Sequence, residues 1–139
     1  MRNILDNTDL RFLLFVLFLF FALLFTKESN ALPLWIIKEE IIQQDIKFPE
    51  VVFAQAILET GWSKCQNCAL DKFNNVFGFT TSLGFIRFSN WRSSIRFYRL
   101  WQNKYYKGGD YFEFLSRSWG APDMPLYIRK LKSVITRTK

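Results

Sequence analysis

Gln55 and Glu59 stand four residues apart in the stretch VVFAQAILETGW, and Trp62 follows three residues after Glu59. On a helix, residues spaced three and four apart share a face. Around that face Val51, Val52, Phe53, Ala54, Ala56, Ile57 and Leu58 are apolar at almost every helical phase. A helix that is hydrophobic nearly all round belongs at the centre of a domain. Gly61 suits the left-handed position that ends a helix, which puts Glu59 in the last turn. Apolar walls and the negative end of the helix dipole both disfavour the charged form of a carboxyl there. Such a group stays protonated toward neutral pH and can serve as a general acid. A partly exposed glutamate with no chemical role is the alternative that these arguments leave open.

What the chain lacks narrows the chemistry further. It has 139 residues and no histidine. Ser-His and Cys-His nucleophile pairs are therefore excluded, as is a His-ligated zinc. Glycoside hydrolysis by carboxylates needs no histidine. The two cysteines, Cys65 and Cys68, form a C-x-x-C pair, too few ligands for a tetrahedral zinc site in one chain. A redox pair would be expected at a helix start after a strand, which is not read here. In an exported protein a small disulfide bracing the loop is the favoured reading. No metal and no cofactor are expected.

The elements that must position Glu59 follow from the patterning. The length supports one domain with one core. Residues 12–25, FLLFVLFLFFALLF, form an unbroken apolar run, short of the ~20 expected for a full span. An uncleaved signal anchor is favoured over a cleaved signal peptide, although Ser29-Asn30-Ala31 offers a small-x-small cleavage site. Either way the rest of the chain is exported: anchored in the inner or cytoplasmic membrane by one pass, or secreted after cleavage. Residues 1–30 make up this hydrophobic helix and its linker, and residues 31–139 the folded domain. Three basic and three acidic side chains cancel within the first thirty residues, so the net charge of +7 belongs to that domain. A basic domain attracts polyanions, whether nucleic acid, anionic lipid or acidic cell wall. Nucleic acid is discounted, because the export signal separates the two and no recognised binding motif appears.

Within the domain, residues 34–46 read as an amphipathic helix with Leu34, Ile37 and Ile41 inward, joined by Ile42 or Ile46. Pro49 suits the start of the central helix. Residues 63–72 read as a loop, and residues 77–89 as a short β-hairpin turning at Ser82-Leu83-Gly84. Asn90 can cap a helix to about Tyr105, with Trp91, Ile95, Tyr98, Trp101 and Tyr105 as its core stripe. Arg92, Arg96, Arg99 and Asn103 form a second, solvated stripe. Asp110 and Glu113 resemble a capping box for a helix through Ser118. Asp123 caps a final helix, residues 124–136, with Ile128, Leu131 and Ile135 facing inward.

At the level of motifs the chain resembles a known family. AQAILETGW followed by NNVFGF is similar to the signature of the glucosaminidase family that cleaves bacterial cell-wall glycan. That signature runs roughly A-Q-x-x-x-E-[ST]-G-W, a short loop, then N-N-x-F-G. NWRSSIRFYRLW and PLYIRKL also resemble the family's later motifs, so the likeness covers about residues 34–135. It implies an α+β, predominantly helical, lysozyme-like domain with the hairpin as a small lobe beside the glycan cleft. It also implies Glu59 as catalytic acid, with Gln55, Asn74, Asn75, Trp119 and Tyr127 binding substrate or positioning the acid. The implied activity is that of an endo-β-N-acetylglucosaminidase cutting β-1,4 bonds of the peptidoglycan glycan strand.

Two departures from the pattern matter. WGAPDMPLY stands where the family reads closer to Y-A-T-D-x-x-Y, so Trp119 replaces a Tyr near the acid while Tyr127 matches the second. An indole can still stack on a sugar ring. Between Phe77 and Arg92 there is no Asp or Glu, so the lobe supplies no second carboxylate. The 2-acetamido group of the substrate can act in its place, as in substrate-assisted glycosidases. The same gap motivates the alternative: a non-catalytic cell-wall-binding module or wall-morphogenesis protein on this fold.

Overall fold

The computed structural model describes residues 31–139. The expected anchor at residues 12–25 lies outside them. Among the described residues no helix is long and apolar enough to cross a membrane. The architecture is predominantly helical, with one small two-stranded antiparallel sheet.

Helix α1, Leu34–Gln43, buries Ile37 and Ile41 completely. It stops three residues before the expected end, because Asp45 turns into the left-handed region at φ 52°. Ile46 is still delivered to the core by that turn, whereas Ile42 is 57% exposed and contributes nothing to it. Helix α2, Pro49–Glu59, is the centre of the domain. Every residue from Val51 to Ile57 is buried, and α2 packs chiefly on α1 and on the last helix. This is the burial that its all-round apolar sequence demands.

The chain leaves α2 through Thr60 and then three consecutive left-handed residues, Gly61, Trp62 and Ser63. Positive φ at a tryptophan is uncommon. The turn is held by hydrogen bonds: Thr60 Oγ1 donates to Ala56 O at 2.6 Å and accepts from Ser63 N at 3.1 Å. Ser63 Oγ donates to Leu32 O, tying the turn to the segment before α1. Cys65 and Cys68 are joined by a disulfide. The expected loop gives way after it to a short helix, α3, Ala69–Phe73, ended by Asn74 at φ 54°.

Strands β1, Thr80–Thr81, and β2, Gly84–Phe85, pair Thr80 with Phe85 and Thr81 with Gly84. This ladder is much shorter than the hairpin expected over residues 77–89. The Asn75 side chain takes over where the ladder ends. Its Nδ2 donates to Phe79 O at 2.8 Å and Ile86 O at 3.0 Å, and its Oδ1 accepts from Phe79 N at 3.0 Å.

Three capped helices complete the fold. In α4, Trp91–Tyr105, the Asn90 side chain accepts from Ser93 N at 2.9 Å. In α5, Tyr111–Ser118, Asp110 does the same for Glu113 N at 2.8 Å. In α6, Met124–Arg137, Asp123 accepts from Leu126 N at 2.9 Å. Glu113 pairs with Arg117 one turn on and does not close a capping box. Leu131 and Val134 are the buried residues of α6, while Ile128 and Ile135 are half-buried. Tyr105, expected in the core stripe of α4, is 52% exposed. Gln102, one turn back on that helix, is the buried residue instead. The expected arginine stripe is partly engaged: Arg92 Nε lies 3.2 Å from Glu40 Oε2 on α1.

Candidate active site

The end of α2, the β-hairpin, α4 and the turn between α5 and α6 enclose a cavity of about 600 Å³. Glu59 stands in its wall, and Gly78, Phe79, Trp101, Trp119 and Tyr127 line it among others. Each is there for a local reason. Glu59 is the last residue of the buried helix, so its carboxyl leaves the core at the helix end. Tyr127 is placed one turn into α6 by the Asp123 cap. Trp119 ends α5 in extended conformation, with its N–H bonded to Leu115 O at 2.8 Å. Its ring packs edge-on against Phe79 and Trp101.

Both aromatic residues meet the same carboxylate oxygen. Tyr127 Oη donates to Glu59 Oε1 at 2.8 Å, and Trp119 Nε1 donates to it at 3.4 Å. The indole N–H thus supplies a polar contact as well as a stacking face. Burial pushes the Glu59 carboxyl above its ordinary range, and the Tyr127 and then Trp119 hydrogen bonds pull part of the way back. The Tyr127 phenol is pushed far above its ordinary range, by burial first and then by the neighbouring carboxylate. It therefore keeps its proton where an ordinary tyrosine begins to lose it.

Gly78 explains how the second oxygen stays open. At φ 67° it sits where side chains are rarely tolerated, and a Cβ built there would stand 3.4 Å from Glu59 Oε2. The glycine of NNVFGF keeps the hairpin backbone close to the carboxyl while leaving room in front of it.

Of the residues singled out in the sequence, Glu59, Trp119 and Tyr127 come together in the cavity. The other three do not line it. Gln55 is wholly buried, its Oε1 accepting from Tyr98 Oη at 2.5 Å, so its side chain has no surface in the cavity. Asn75 is 1% exposed and braces the hairpin. Asn74 caps α3 and donates to Phe88 O at 3.1 Å. Trp62 also lies outside the lining, carried away by the left-handed turn.

Among the lining residues Glu59 is the only carboxylate. Asp71 is exposed and accepts from Asn67 N at 3.2 Å. Asp110 and Asp123 are occupied as caps. Among the described residues no group of His, Cys, Asp or Glu could hold a metal ion. Gly78, Phe79 and Trp101 line the cavity as well, although the sequence favours core packing over a sugar-stacking face for Phe79 and core packing for Trp101. The glycine carried a signal, as the last glycine of its motif.

Comparison with known proteins adds one finding. A family model, "Glucosaminidase: Mannosyl-glycoprotein endo-beta-N-acetylglucosaminidase", matches residues 36–139. No curated protein and no solved structure matches the chain.

Proposed function

Because the chain belongs to the glucosaminidase family, we propose that it hydrolyses peptidoglycan on a lysozyme-like fold with Glu59 as general acid. The bond cut is the β-1,4 link next to N-acetylglucosamine. The observation that carries this reading is the Glu59 carboxyl, held by Tyr127 in the wall of an aromatic-lined cavity and made a weaker acid by burial. Aromatic rings suit the apolar faces of sugars, and a carboxyl that keeps its proton suits protonation of a leaving oxygen.

Glu59 gives its proton to the glycosidic oxygen as the bond to C1 breaks. With no second carboxylate in the lining, the carbonyl oxygen of the 2-acetamido group attacks C1 and forms a cyclic oxazolinium. Water then attacks C1 from the opposite face and passes a proton to the Glu59 carboxylate, which restores the acid. Two inversions leave the anomeric configuration retained. Thr80 and Ser118 are the other polar side chains available to the sugar in the lining.

The full-length protein is expected to clear purified cell wall and leave N-acetylglucosamine at the new reducing ends, initially as the β-anomer. A thiazoline analogue of the oxazolinium should inhibit it, and Asp71→Asn should keep most of the activity. An inverted product, or an Asp71→Asn protein without activity, would replace the acetamide by a second carboxylate. Binding to cell wall with no new reducing ends would make the protein a wall-binding module.

The proposed setting is outside the cytoplasm, at the inner or cytoplasmic membrane, with residues 12–25 as the anchor. The apolar run supports it. A reporter fused after Lys139 should be exported, with the protein retaining its N-terminal run. Recovery of a soluble form beginning near Leu32 would show cleavage instead.

A further inference from the structure

Beneath the cavity lies a buried row of polar side chains that no step of the proposed hydrolysis uses. It starts at the backbone of Lys47. Lys47 N donates to Gln102 Oε1 at 2.9 Å, and Gln102 Nε2 donates to Lys47 O at 2.9 Å. Pinned at both ends, the Gln102 amide has one orientation. Its remaining N–H points to Tyr111 Oη at 2.8 Å. Tyr111 Oη lies 2.7 Å from Tyr98 Oη, and Tyr98 Oη donates to Gln55 Oε1 at 2.5 Å. Gln55, Tyr98 and Gln102 are all 1% exposed or less, and Tyr111 is 3% exposed.

The donors in this row run one way. A hydroxyl has one proton to give. Tyr111 already accepts from Gln102, so its own proton goes to Tyr98. The Tyr98 proton goes to Gln55 Oε1. Burial raises both phenols above their ordinary range, so neither proton is lost to ionisation. With its oxygen taken, Gln55 has only its amide Nε2 left to turn toward the cavity. That atom is buried with no hydrogen-bond partner formed, and it belongs to a side chain one turn before Glu59 on α2. Against the larger rise from burial, the Gln55 amide lowers the pKa of the Tyr127 phenol, as a neighbouring N–H does and a carbonyl oxygen does not. An amide N–H beside Tyr127 cannot accept its proton, so the proton goes to Glu59 Oε1.

We infer that this one-way chain from Lys47 through Gln102, Tyr111, Tyr98 and Gln55 makes Tyr127 an obligate donor to Glu59 Oε1, and so fixes the transferable proton on Oε2. Oε1 already receives Tyr127 and Trp119. Oε2 faces Gly78. The inference rests on Glu59 being the acid of the proposed reaction. Gln55 is then a positioning residue acting through Tyr127. If the amide were free to flip, its oxygen would compete with Glu59 for the Tyr127 proton and the carboxylate would lose its strongest donor.

The test removes the lock without entering the cavity. Tyr98→Phe keeps the ring and deletes the hydroxyl that holds Gln55 Oε1, while Gln55→Met deletes the amide at similar volume. Carbon-detected NMR titration of the Glu59 carboxyl in the full-length protein reads the result even if no turnover is found. In Tyr98→Phe the carboxyl is expected to titrate at higher pH than in wild type. Gln55→Met leaves Tyr127 no competing acceptor, so alone it should titrate as wild type, and added to Tyr98→Phe it should abolish the shift. Adding Tyr98→Phe to Tyr127→Phe should produce no further shift. Where turnover is measured, kcat of Tyr98→Phe should fall several-fold with KM unchanged. A Tyr98→Phe titration identical to wild type overturns the inference, as does a shift that survives Gln55→Met or adds in full to that of Tyr127→Phe. Thermal melting identifies a Tyr98→Phe protein that does not fold, and Tyr111→Phe, which removes the hydroxyl one link earlier, then decides by the same readout. Loss of wild-type hydrolysis alone would overturn the proposed function and leave the titration result standing.

Discussion

Glu59→Gln is expected to fold, bind cell wall and lose clearing by about 10²–10⁴-fold, the contribution of a positioned general acid. Glutamine keeps the shape and an oxygen that can accept from Tyr127 and Trp119, but it has no acidic proton to transfer. A zymogram of wild type beside the variant reads the loss, and equal clearing would remove Glu59 from the mechanism. Stability should move the other way as pH rises. Burial raises the Glu59 pKa above 4.5, so the folded state holds the proton more tightly than the unfolded chain. The stability from that preference is present below the unfolded value and is lost as pH climbs through the folded value. The variant has no such titration. Its melting temperature relative to wild type should therefore increase as pH rises from the unfolded carboxyl's range through the raised, folded one. A difference that stays flat across that range would mean that Glu59 is not desolvated as described.

Tyr127→Phe is expected to cost about 10- to 100-fold in kcat, the range of one hydrogen bond to a charged group. The reason is differential. Tyr127 donates to Glu59 Oε1, and that bond strengthens as the carboxyl gives up its proton and becomes charged. Removing it weakens the acid and raises its pKa, because this hydrogen bond is the larger of the two that lower it. The alkaline limb of kcat/KM, which reports the free enzyme's acid, should shift to higher pH. A lower rate with an unmoved limb would show that Tyr127 contacts sugar and does not tune Glu59. Trp119→Phe removes the longer bond, at 3.4 Å, and should move the limb the same way by less.

The central helix was legible because its evidence is local. An apolar run of helical length bounded by Pro49 and Gly61 reads as a buried helix, and the spacing places Glu59 in its last turn. The caps at Asn90, Asp110 and Asp123 were equally local, since each needs only its own side chain and the third residue on. The motifs that matched the family were likewise contiguous in sequence. Short-range geometry was where the reading failed. The left-handed residues Asp45 and Trp62 ended α1 early and redirected the chain after α2, and no side-chain pattern announces positive φ at such residues.

The roles of the polar residues were decided by tertiary structure alone. Gln55 shares a helical face with Glu59, which is what spacing reports, but depth decides what a side chain touches. Gln55 points into a polar row built from α4 and α5, and Glu59 stands in the cavity wall. Asn74 and Asn75 carry a family motif, yet their amides are spent on the backbone of the chain around the hairpin. Tyr127 and Trp119 lie 68 and 60 residues from the carboxyl they meet. Sequence determined which side chain can carry a proton, because that depends on residue type and helix position. Only the packing of α6 against α2, with Trp119 brought in at the end of α5, decided how that proton is held, because it depends on which distant donors reach one oxygen and leave the other free.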